Sequence, residues 1–306
     1  MPSDPIATGF RISDRRPHLR EASRRFRRIR HRRAVAYRAG PGLDDALAVC
    51  RRLATYGLAS TIGYSASRGE SAREVAGVNM GAFEALAADG LDAYVSVKLS
   101  ALDFDARLFA ELASAAAQSG RRLHVDALAP STADVTWLLL EGAPRTDVLG
   151  TTLPARWRRS ADDASRAVDL GLAVRVVKGQ WADGDATVDA TEGFLEVVDR
   201  LPGHAAGVAV ATHAADLLAQ SLRRLATSHT PCEAELFYGL PFRAPALVAR
   251  RLGVPVRVYV AYGDVGAPYG VADVIDNRAA AWWLAQDLRF GEDKTWRDIR
   301  WLHTHP

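Results

Sequence analysis

From about residue 41 onward the hydrophobic pattern of the chain keeps changing period. Stretches with apolar residues at helical spacing alternate with short runs rich in β-branched residues, and the pair recurs every 25 to 35 residues or so. Strands are predicted at 58–66, 92–102, 122–128, 146–153, from 173, at 207–214, 232–240 and 254–263. Helices are predicted at 42–57, 71–89, 105–120, 131–141, 160–171, 187–201, 216–226, 244–253 and 268–288. Several of these helices close on glycine, as at Gly57 and Gly120, and Ser160 with Asp163 has the spacing of a capping box. Eight strands, each followed by a helix, within about 250 residues are the pattern of an α/β (β/α)8 TIM barrel. No Pro/Gly/Ser-rich linker interrupts the pattern, so one domain over 41–306 follows a basic N-terminal arm or helix over 1–40. The competing fold, a doubly wound open sheet, is weakened because no strand is followed by GxGxxG.

A barrel places chemistry at the C-terminal ends of its strands, and here those ends are polar. Lys98 closes the second strand, Asp126 the third, Arg175 and Lys178 the fifth, and Thr212 with His213 the sixth. Glu233 and Glu235 lie on the seventh strand, and Tyr259 and Tyr262 on the eighth. The fifth strand, AVRVVKGQW from 173 to 181, carries two cations out of a β-branched run and into Gly179. A buried charge needs a counter-charge, so either this strand end faces an anionic ligand or its cations are solvated on a loop. A lone histidine at a strand end is most often a hydrogen-bonded packing residue. A whole ring of such groups at one mouth points to a site.

Composition narrows the classes. The 306 residues are 48% hydrophobic and 25% charged, ordinary for a soluble globular protein. There is no apolar run of membrane-spanning length and no basic-then-apolar leader pattern, so a cytoplasmic protein is expected. Cys50 and Cys232 suggest neither a disulfide framework nor a metal site. Net charge is only +3, but residues 15–38 hold a dense arginine cluster. Its arginines do not alternate with aromatic residues as a stacking surface needs, so a solvated basic arm is favoured over a nucleic-acid-binding one.

Taken in order, the strand ends resemble the proline dehydrogenase family. The segments that carry the resemblance are VSVKLSAL (95–102), HVDAL (124–128), VRVVKGQW (174–181), VATHA (210–214), CEAELFYGLP (232–241), VRVYVAYG (256–263) and YGVADVIDN (269–277), spread over about residues 34–290. The resemblance implies a flavin-dependent barrel that oxidises a C–N bond by hydride transfer to N5 of FAD, with a quinone or oxygen as the final electron acceptor. It implies that Arg175, Lys178, Gly179, Thr212, His213, Glu233 and Asp276 belong to the cofactor side. Lys98, Asp126, Tyr259, Tyr269 and Asp273 then belong to the substrate side. No metal, nucleic-acid partner or membrane span is implied.

The chain departs from the family where the substrate should be held. The family's last helix usually reads Y-x-x-R-R-x-x-E-N, and its two arginines clamp the substrate carboxylate. Here the clamp positions are Ala272 and Asp273, while Asp276 replaces the glutamate and Asn277 is kept. Other usual residues are replaced by Glu235, Trp181, Ala214, Pro154 and Ala261. Losing two charge-assisted hydrogen bonds weakens carboxylate recognition by on the order of 10² to 10⁴, and Asp273 would repel an anion. The expectation is an amine substrate that lacks a free carboxylate or carries positive charge, unless Arg68 or Arg278 substitutes for the clamp. Two other classes predict different behaviour. A non-catalytic flavin-binding or assembly protein would be yellow and reduced by no amine. A polyanion-binding protein acting through the arginine-rich arm would be colourless, with salt-sensitive binding.

Overall fold

The computed structural model describes residues 37–179, 183, 188–264 and 293–305. Most of the basic arm lies outside the described residues, as do the helix predicted at 268–288, Trp181, Tyr269, Ala272, Asp273, Asp276, Asn277, Arg278 and the Trp282–Trp283 pair.

Eight parallel strands close into a barrel in sequence order, with β8 pairing back to β1. The strands are β1 (Ala59–Ser65), β2 (Ala93–Val97), β3 (Leu123–Val125), β4 (Leu149–Pro154), β5 (Ala173–Val177), β6 (Val208–Ala211), β7 (Cys232–Phe237) and β8 (Val256–Gly263). Between and around them run α1 (Leu43–Ala54), α2 (Ala72–Ala88), α3 (Ala106–Gln118), α4 (Ala133–Glu141), α5 (Ser160–Asp169), α6 (Glu192–Asp199), α7 (Ala215–Ala226), α8 (Arg243–Arg251) and α9 (Asp293–Thr304). Among the described residues no helix is long and apolar enough to cross a membrane.

Strand residues alternate between two faces. Val95, Val125, Val174, Val176, Val210, Leu236, Val258 and Val260 are fully or almost fully buried and belong to one hydrophobic core with helix residues such as Leu53, Leu86, Leu112 and Leu222. Each such leucine contributes about 1.5–3 kcal/mol by leaving water. The intervening residues, Ser96, Asp126, Thr152, Arg175, Glu235 and Tyr259, meet one another across the barrel. The barrel interior is therefore polar, and the apolar core lies between strands and helices. Tyr262, read above as a mouth residue, falls on the apolar side: it is buried in the core and tilts against Tyr64 with ring centroids 5.1 Å apart.

Several element ends differ from the sequence reading for local reasons. The second strand stops at Val97, and Lys98 leads into a 3₁₀ turn over Leu99–Leu102. The seventh stops at Phe237, whose N–H donates to the His213 ring instead of continuing a strand ladder. Ser71 and Glu74 do form a capping box at α2. The one expected at Ser160 does not form: the Ser160 hydroxyl donates to the Pro154 carbonyl at 2.6 Å, and Asp163 pairs with Arg159 at 2.8 Å. α6 begins only at Glu192, where the Asp189 carboxylate accepts from the N–H groups of Thr191 and Glu192. α9 was not anticipated. Its Trp296 and Ile299 bury in the core, Arg52 stacks on Trp296 at 3.9 Å, and Thr295 Oγ1 accepts the Gly239 N–H at 2.9 Å.

Candidate active site at the C-terminal mouth

Arg175 is the centre of the interior. It is only 3% exposed, and its guanidinium donates to Glu235 through Nε at 2.5 Å and Nη2 at 3.0 Å. Nη1 donates to Asp126 Oδ1 at 2.8 Å and to Ser96 Oγ at 3.0 Å. Thr61 Oγ1 donates to Glu235 Oε1 at 2.7 Å from the opposite wall. The counter-charge that the buried Arg175 requires thus comes from within the chain. Burial opposes its charge, but the attraction of Glu235, then Tyr94 and Asp126, outweighs that, and its pKa lies well above the ordinary arginine value. Glu235 stands out in the sequence both as one of the polar strand residues and as a replaced family residue, but not as the partner of Arg175; the period-2 alternation that sets it two residues above Glu233 on the inward face was the available signal.

Above this pair lies Tyr259, whose ring stands 5.1 Å from the Arg175 guanidinium carbon. Its hydroxyl reaches across the barrel from β8 and donates to Asp126 Oδ2 at 2.8 Å. Gly63 on β1 makes this possible, because a Cβ there would collide with the Tyr259 hydroxyl. Burial and the Asp126 charge push the Tyr259 pKa well above its ordinary value, so it stays a neutral donor. Partial burial favours the neutral form of Asp126, yet Lys98, Arg175 and the hydrogen bonds from Ser96 and Tyr259 prevail and hold it below the usual aspartate pKa. Lys98 Nζ stands 3.6 Å from Asp126 Oδ2 and 3.4 Å from the Tyr64 carbonyl, long contacts that leave donor capacity. Phe237 stacks on Tyr259, with centroids 5.3 Å apart and planes within 12°.

These groups floor a cavity of about 590 Å³ at the C-terminal ends of the strands, within the usual size range for ligand sites. Lys98, Asp126, Arg175, Lys178, Gly179, His213, Glu235 and Tyr259 all line it, and Trp157, Leu240 and Phe237 add an apolar wall. Lys178 makes no ion pair within 4 Å among the described residues, although its charge acts on Asp189.

Other predicted site residues sit differently. His213 lines the cavity, but both ring nitrogens are occupied: Nδ1–H donates to the Pro241 carbonyl at 2.7 Å, and Nε2 accepts the Phe237 N–H at 2.9 Å. Burial pushes its pKa down to about 4, so the ring is neutral and can offer a ligand only its face or edge. Thr212 is 5% exposed, and its hydroxyl accepts the Ala214 N–H at 3.2 Å. Glu233 is brought to the other end of the barrel. Its carboxylate takes the Arg257 Nε at 2.8 and 2.9 Å, while Arg257 also holds the Ser60 carbonyl at 2.7 Å and Asp92 at 3.1 Å. Glu233 lies near the start of β7, so it braces the barrel floor and does not reach the mouth. Arg68 is exposed on the loop after β1 and does not line the cavity.

Fold and site define a class: a (β/α)8 barrel with a charged, ligand-sized cavity at its catalytic face. A scan of protein-family models matches none to this chain. The chain is 28% identical over 266 residues to Proline dehydrogenase 1 of Bacillus subtilis subsp. natto, covering 79% of this chain and 86% of that protein. The same figures hold for Proline dehydrogenase 1 of Bacillus subtilis strain 168. In fold it resembles proline utilization A from Bdellovibrio bacteriovorus, inactivated by N-propargylglycine, with a TM-score of 0.66, 16% identity and 80% of this chain covered. It also resembles proline utilization A from Corynebacterium freiburgense, with a TM-score of 0.62, 16% identity and 90% covered. The chain spans 32% and 35% of those longer chains, and at this identity the likeness is one of fold. The sequence relatives are proline dehydrogenases and the fold neighbours share this barrel, so the chain is similar to the proline dehydrogenases in sequence and to proline utilization A in fold.

Proposed function

We propose that the chain is a flavin-dependent oxidoreductase that oxidises the C–N bond of a proline-like amine, with a quinone or oxygen as electron acceptor. The observation that carries this reading is the Lys98–Asp126–Tyr259 group on the floor of a cavity at the catalytic face. The cavity suits a flavin. The stacked Tyr259–Phe237 pair offers a flat aromatic surface, and Lys98 and Lys178 offer N–H donors to ring oxygens or phosphates. FAD, when bound, would supply the hydride acceptor for the carbon next to the amine nitrogen.

The chain's residues would do the rest. Hydride loss leaves positive charge on the C=N unit, and a preorganised anion stabilises it as it develops. Asp126 is such an anion, fixed by Ser96, Arg175 and Tyr259. Trp157, Leu240 and Phe237 keep water from the reacting carbon. Lys178 and the His213 ring remain as cofactor-side candidates at the rim. The replaced arginine clamp supports a substrate whose carboxylate is absent or masked.

An absorption spectrum of the purified protein, followed by anaerobic titration, tests this reading. Proline amide should bleach the flavin faster than proline. Rapid bleaching by proline alone refutes the altered substrate, and a protein that stays colourless after soaking with FAD or FMN refutes the flavin chemistry.

A further inference from the structure

Arg175 is the guanidinium lining the cavity among the described residues, and its carboxylate-matching edge is already filled. An arginine binds a carboxylate best through two parallel N–H groups. Nε and Nη2 of Arg175 form such an edge, and both donate to Glu235, at 2.5 and 3.0 Å. Nη1 is turned to Asp126 and Ser96. Four of the five N–H groups of a guanidinium thus point at groups of this chain. Glu235 is held in place by Thr61, and its side chain is only 2% exposed. A glutamine at this position would offer one acceptor oxygen and no charge, leaving part of that edge open. Glu235 also sets the local balance: Lys98, Arg175 and Lys178 face Asp126 and Glu235 around the cavity, so removing Glu235 adds one net positive charge.

We infer that Glu235 is a specificity-determining residue that turns the cavity floor away from carboxylates by occupying Arg175. The site would then take cyclic amines whose acid group is absent, amidated, esterified or peptide-linked. This inference rests on the reading of the cavity as an amine-oxidising site and narrows its substrate class.

The test compares dissociation constants for cyclopentanecarboxylate and cyclopentanecarboxamide, measured calorimetrically on the full chain. Neither probe has an oxidisable amine, so the result is independent of flavin reduction, which the spectral titration reads separately. Wild type should bind the amide at least as well as the acid. Glu235→Gln should shift the ratio toward the acid by about tenfold or more, and Glu235→Asp should keep the wild-type ratio. A wild type that already prefers the acid tenfold, or a folded Glu235→Gln that binds the acid no better, overturns the inference. If Glu235→Gln does not fold, Thr61→Val loosens the same carboxylate. It should move the ratio several-fold in the same direction, and no movement again overturns the inference.

Discussion

Replacing Arg175 by methionine removes the cation and keeps most of the volume. Four groups lose a partner: the Glu235 carboxylate, bound twice, Asp126 Oδ1, the Ser96 hydroxyl and the more distant Thr152 hydroxyl. Glu235 would keep only the Thr61 hydroxyl, while Asp126 keeps Ser96, Tyr259 and the more distant Lys98. Breaking a buried pair from one side typically costs about 3–5 kcal/mol, because the remaining charge is buried without compensation. In a chain of this length that lowers the melting temperature by on the order of 10 °C. The double change Arg175→Met with Glu235→Met removes both charges, and such exchanges are often neutral or stabilising by about 1–4 kcal/mol. It should recover much of the loss. Urea unfolding at pH 7 measures all three proteins. A single variant within about 1 kcal/mol of wild type, or a double no better than the single, would refute the view that Arg175 depends on these carboxylates.

Three further outcomes are expected. Gly63→Ala should displace the Tyr259 hydroxyl from Asp126, costing about 1–3 kcal/mol and altering flavin affinity; an unchanged flavin dissociation constant and melting temperature would count against this account of the floor. His124 is buried beside Tyr94, and its pKa is pushed well below the ordinary value by burial, then by Arg175 and Arg122. Because the folded pKa is depressed, its contribution is present above about pH 6.5 and lost as pH falls, with a slope approaching about 1.4 kcal/mol per pH unit. His124→Phe should flatten the pH dependence of urea unfolding between pH 7 and 5. Glu233→Gln should destabilise the barrel, since Arg257 loses its main counter-charge, yet leave flavin affinity unchanged in a spectral titration; a large loss of affinity would return Glu233 to the cofactor set.

The sequence by itself determined the architecture and where to look. The alternation of β-branched runs with amphipathic stretches fixes eight strand–helix pairs, because each element must bury one face at its own period. The strand-end rule then picks out Lys98, Asp126, Arg175 and Lys178, and all four line the cavity. What sequence could not decide was who meets whom across the barrel. Whether Arg175 faces a ligand or a carboxylate of its own chain depends on the register of β5 against strands far away in sequence. That register joins residues 60 apart, Arg175 and Glu235. The same holds for Glu233 and Glu235, two residues apart on one face, which end in different layers with different arginines. His213 reads as a ligand group in a list of strand ends, and only the packing of β7 against β6 shows both its nitrogens engaged. Periodicity is a local property carried by each segment, whereas charge pairing inside a closed barrel is set by the tilt and stagger of all eight strands together.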